Sequence, residues 1–145
     1  MSGDDEGQHE EDAPEEAAGV RRAAVLSGAA GAVLLAAALV VYLAGGPPYG
    51  QNVLGAVLYL PGLLAALIAS VLLWMAWGTA EGRRSPRRPG GTATAAGALL
   101  LTGASLVVSL GRVGSTGLRL ALIGAAAVVL AAGVAAVLPD ARRDR

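Results

Sequence analysis

Ala23–Ala80 reads AAVLSGAAGAVLLAAALVVYLAGGPPYGQNVLGAVLYLPGLLAALIASVLLWMAWGTA, and none of its residues is charged. Water gives a chain no reason to keep so long an apolar stretch free of charge, whereas a bilayer does. A charge at the hydrocarbon centre costs about 2.5–3.5 kcal/mol even on insertion scales. The stretch is too long for one crossing and is interrupted at Ala44–Asn52 (AGGPPYGQN), where Gly45, Gly46, Pro47 and Pro48 stop a helix. Two spans are therefore expected. Ala23–Leu43 is about 31 Å long as a helix, which matches the hydrocarbon thickness, and Val53–Trp77 follows it. Pro61 lies about two turns into the second span. Lacking an amide proton, it predicts a kink there.

Beyond Ala80 the pattern repeats. Gly78–Gly91 is a polar connection carrying Arg83, Arg84, Arg87 and Arg88. Thr92–Leu110 is a third apolar segment, diluted by Thr92, Thr94, Thr102, Ser105 and Ser109. Gly111–Gly117 turns the chain, and Leu118–Leu138 is the fourth segment. Pro139 is expected to end that helix ahead of the charged residues Asp140–Arg145. Residues 1–20 hold eight acids and no base, with few large apolar groups to offset the entropy of ordering, and are expected to be disordered. The fold class predicted is all-α, a four-helix transmembrane bundle running up-down-up-down. Residues 1–20 form an acidic tail, 21–139 the membrane domain and 140–145 a short charged tail.

Composition agrees. Hydrophobic residues make up 54% of the chain, yet aromatics supply only 3% and Phe is absent. Soluble cores draw on large side chains, whereas membrane helices pack well through small ones. The zero formal charge hides a split, since eight of the eleven acids lie before residue 20 and all eleven bases after it. With the N-terminus cytoplasmic, the inside receives Arg21, Arg22, Arg83, Arg84, Arg87, Arg88, Arg142, Arg143 and Arg145, and the outside only Arg112 and Arg119. This asymmetry places both termini in the cytoplasm. Trp74 and Trp77 then fall at the inner interface and Tyr42 at the outer one. Every base is Arg and none is Lys, a usage expected of a GC-rich bacterial genome, with the plasma membrane as the site of residence.

The same residue set excludes most chemistry. There is no Cys, and the single His9 lies in the tail, so neither a thiolate nor a metal cluster can be assembled. No Asp, Glu, Lys or His occurs within the four segments, whereas proton relays, ion-coupled transport and acid–base catalysis need a titratable group at depth. No enzymatic activity, cofactor, nucleic acid or small-molecule substrate is expected.

Three features remain. Ala98, Thr102, Ser105 and Ser109 recur at spacings of four, three and four and so share a helix face. That stripe is either glue between helices or the lining of a polar path. Small-residue seams recur at Ser27 and Gly31, at Gly62, Ala66 and Ser70, and at Gly124 and Ala132, which favours tight packing within the chain or between copies. Arg83, Arg84, Arg87 and Arg88 are candidate contacts for anionic lipid, each worth on the order of 1 kcal/mol; they also serve to fix topology. AAGAVLL at Ala29–Leu35 resembles AAGALLL at Ala95–Leu101, and LVVYL at Leu39–Leu43 resembles LVVSL at Leu106–Leu110, which would fit a duplicated two-helix hairpin. The function expected is a non-enzymatic accessory or scaffold whose partners are the lipid bilayer and either another copy or another membrane protein. The alternative is a small uncoupled channel, holin-like pore or permease along Thr102, Ser105 and Ser109.

Overall fold

The computed structural model describes residues 8–46, 53–112 and 114–143. Within them the chain is all-helical. The elements are α1 (Gln8–Ala44), α2 (Val53–Gly78), α3 (Ala80–Arg84), α4 (Arg88–Gly111) and α5 (Thr116–Arg143). Four of these helices are long and apolar enough to cross a membrane. The shortest, α4, has 24 residues, about 36 Å, and still exceeds the hydrocarbon thickness of about 30 Å.

The helices run further than the sequence predicts. Residues 8–20, expected to lack structure, continue α1, while residues 1–7 lie outside the described residues. Lengthening an existing helix avoids the cost of nucleation. Ala and Glu are good helix formers, and acids favour a helix N-terminus. α5 passes through Pro139 to Arg143 instead of ending there. So near the C-terminus the ring removes one ladder bond without cutting off a helix that must continue. α4 begins at Arg88 rather than Thr92, with proline in its first turn, where a missing N–H costs nothing. α3 forms inside the expected loop, capped by the Thr79 hydroxyl, which accepts from the Gly82 amide at 3.2 Å. α2 continues through Pro61, which is exposed while Gly62 beside it is buried. At the end of α4 the left-handed position is taken by Arg112 (φ 48°), not by a glycine.

Small residues set how closely the helices approach. A Cβ on Gly31 would stand 2.9 Å from the Ala66 amide nitrogen, and one on Gly62 would stand 3.1 Å from the Leu35 nitrogen. One on Gly55 would lie 2.6 Å from the Tyr42 ring. Backbone thus meets backbone along α1 and α2, and residue numbers fall on one as they rise on the other. The same stretch of α1 also meets α5, where Gly28 faces Val134 and Leu39 faces Gly124. Gly97 and Thr94 of α4 face Val129 and Gly133 of α5.

The distribution of side chains is the reverse of a soluble protein's. Ala24, Ala38, Ala66, Ala69, Ala95, Ala98 and Ala126 are buried, and Leu35, Leu73 and Leu130 are the largest fully buried apolar side chains. Leu26, Leu54, Leu60, Leu64, Leu100, Val107 and Leu110 point outward, with Leu100 73% exposed. An apolar surface of this extent is costly in water and costs nothing against lipid, where small residues form the helix contacts.

Candidate functional sites at the two ends

The hydroxyl stripe of α4 faces into the protein. Thr102 and Ser105 are each 1% exposed. The Ser105 hydroxyl lies 2.7 Å from the Tyr59 hydroxyl of α2, and the Ser109 hydroxyl lies 3.3 Å from the same oxygen. Thr102 donates back to the Ala98 carbonyl one turn earlier. The expected face therefore exists, and its partner is Tyr59, which periodicity alone does not single out. The seam on α2 follows the same logic. Gly62, Ala66 and Ser70 are all buried, and Ser70 donates to the Ala66 carbonyl at 2.7 Å. The other two seams are less uniform. Ser27 is half-buried and bonds the Ala23 carbonyl at 2.6 Å beside a buried Gly31, and Gly124 packs on Leu39 while Ala132 is exposed.

The stripe ends at a cavity of about 160 Å³ lined by Tyr42, Tyr59, Ser109, Thr116, Arg119, Leu120 and Ile123. Four helices contribute to it. Arg119 is part-buried, and its Nε is buried without a hydrogen-bond partner among the described residues. Sequence periodicity gives no hint of this, because an arginine one turn into a span reads as a side chain reaching for the headgroups.

The opposite end gathers the arginines. A cavity of about 290 Å³ is lined by Arg21, Ala76, Trp77, Gly82, Ser85, Val137, Asp140 and Arg143. Arg21 is only 8% exposed. Trp77, expected at the lipid interface, is instead 3% exposed, its ring packed directly over Gly91, and its indole nitrogen is a buried donor without a partner among the described residues. Gly91 makes that burial possible because any side chain there would collide with the ring. Trp74, one helical turn earlier, is 56% exposed and does face outward.

Arg83, Arg84, Arg87 and Arg88 are all exposed at this end. Arg83 and Arg84 form the last turn of α3, where cations complement the helix dipole. Arg87 is the N-cap of α4 and Arg88 opens it. Cations at a helix N-terminus are unfavourable, by a few tenths of a kcal/mol. Helix stability does not explain the placement of Arg87 and Arg88. Among the described residues no group of His, Cys, Asp or Glu could hold a metal ion. Comparison with family models, with curated proteins and with solved structures finds no match for this chain.

Proposed function

We propose that this chain is a small multi-pass protein of the plasma membrane, without catalytic role, that acts as an accessory or scaffold by packing against another copy or another membrane protein. The bundle runs up-down-up-down with both termini cytoplasmic, and the arginine-rich end is the inner one. The observation that carries the reading is a difference between outward faces. α2 turns Leu54, Val57, Leu60, Leu64, Ile68 and Val71 outward, a large-residue surface suited to lipid tails. α5 turns out Ala121, Ala131, Ala132 and Ala135, with Val128 among them, and α1 interrupts Leu26, Val33 and Val40 with Ala29, Ala30 and Ala36. Exposed small residues at helical spacing let a further helix approach closely.

The test is the oligomeric state in lipid bilayers, read by single-molecule photobleaching across protein-to-lipid ratios. Ala132→Leu and Ala36→Leu are expected to weaken association, and Leu64→Ala on α2 to leave it unchanged. A chain that stays monomeric at every ratio, and that brings no membrane protein with it after cross-linking in cells, refutes the reading.

The alternative of an uncoupled channel or permease draws on the cavity lined by Ser109, the last hydroxyl of the stripe that holds Ser105 and Thr102. Against it, both hydroxyls are closed off from water and bonded within the protein. A liposome-leak assay that responds to Ser105→Leu would favour the path, and silence would favour the scaffold.

A further inference from the structure

Arg119 stands where no described residue of the chain neutralises it. Every acid in the sequence lies at positions 4–16, 81, 140 or 144. Position 140 lines the opposite cavity beside Arg21, and position 81 sits in the short helix α3 at that same end. The chain connections at the Arg119 end, residues 45–52 and 112–115, contain no Asp or Glu. Among the described residues no carboxylate therefore stands at the Arg119 end.

The guanidinium is nevertheless drawn into a built cavity. Its Nε is buried and unpartnered among the described residues, and Tyr42, Tyr59 and Thr116 line the same space. A buried charged donor without an acceptor is costly, and a planar guanidinium suits the oxygens of an anion. Thr116 also opens α5, a 28-residue helix, so the positive end of its dipole adds to the field. About 160 Å³ is room enough for one tetrahedral oxyanion.

We propose that this cavity binds a phosphate group, monoester or diester, through Arg119, with Tyr42 and Thr116 as hydroxyl partners. The group comes either from a lipid headgroup, which the cavity's position at the end of the spans allows, or from free phosphate. The proposal does not rest on the scaffold reading, since a monomer would carry the same site.

The experiment uses the full chain in a phosphate-free non-ionic detergent. Retention of dimyristoylphosphatidylglycerol is measured by native mass spectrometry, and binding of inorganic phosphate by broadening of its ³¹P resonance. Arg119→Gln is expected to weaken binding about tenfold, equivalent to ~1.4 kcal/mol. Arg119→Lys should recover part of the loss, and Tyr42→Phe should weaken binding about threefold. Arg112→Gln, which removes the other cation at this end, should change it less than about twofold. Loss confined to the lipid arm identifies a headgroup site, and loss in the inorganic arm identifies a soluble phosphate site. The proposal is overturned if the wild-type chain binds neither probe, or if Arg112→Gln weakens binding as much as Arg119→Gln does. Should Arg119→Gln fail to fold, Arg119→Lys and Tyr42→Phe decide, and wild-type binding in both refutes the site.

Discussion

The contact between Tyr59 and Ser105 separates a packed interior from a wet path, and a double-mutant cycle measures it. Tyr59 is 6% exposed and Ser105 1% exposed, with their oxygens 2.7 Å apart, the usual length of a hydroxyl–hydroxyl bond. Interhelical hydrogen bonds in membranes average ~0.6 kcal/mol and reach ~1.7 kcal/mol. Tyr59→Phe keeps the ring but removes both the bond to Ser105 and the longer one to Ser109. The freed serines can bond back to carbonyls one turn earlier, so the expected loss is about 0.6–1.5 kcal/mol. Ser105→Ala should cost less, about 0.5 kcal/mol, because Tyr59 keeps Ser109. The coupling between the two changes should approach that value, about 0.5 kcal/mol. The assay is reversible unfolding in mixed micelles of increasing dodecyl sulfate content, followed through the two tryptophans, Trp74 and Trp77. A coupling below ~0.2 kcal/mol would mean that the hydroxyls do not bond in the folded protein. The stripe would then be open to water, and the argument for a closed interior would fail.

Other consequences follow from the glycines and from one strained residue. Gly31→Leu should lower stability by about 1–3 kcal/mol in the same unfolding assay, because its Cβ alone would press on the Ala66 backbone. Gly103→Ala, with open space around it, should instead be neutral or raise stability by ~0.5 kcal/mol; a comparable loss at both sites would contradict the helix contacts described. Gly91→Ala should displace the Trp77 ring, seen as a shift in tryptophan emission that a Trp77→Phe background abolishes. An unchanged spectrum would show that the ring does not lie on Gly91. Arg112→Gly should stabilise by about 0.5–1 kcal/mol, since a non-glycine residue holds a positive φ there. A loss of stability would mean that the side chain has a role the strain does not reveal.

The uncharged run Ala23–Ala80 and the later apolar segments were sufficient to place four spans, because lipid acts on composition over a whole helix length and leaves its mark in the sequence. Helix faces were legible too. The spacing of Thr102, Ser105 and Ser109 placed them together, and Gly62, Ala66 and Ser70 formed the buried seam they suggested. What periodicity could not give was the partner across the contact. Nothing local marks Tyr59 as the partner of Ser105, or Gly91 as the floor for Trp77, since each pair joins two different helices. The end of α5 was misplaced because Pro139 was read as a stop, whereas the helix gives up one ladder bond and runs four residues further. The start of α4 was placed too late, since Pro89 falls in its first turn, where a missing amide costs nothing. The inward position of Arg119 was hidden for a different reason. A charged residue near a span end looks the same in sequence whether it reaches outward or folds between neighbouring helices.

That lipid is the solvent of four helices, threaded with the arginine-rich connection inside, is tested most directly by thiol accessibility. The chain has no cysteine, so Gln51→Cys, Ser85→Cys and Ser115→Cys each introduce a single reactive site. A membrane-impermeant maleimide applied to intact cells should label position 51 and position 115, and should reach position 85 only after the membrane is opened. Labelling of all three positions in intact cells, or of position 85 alone, would contradict the account.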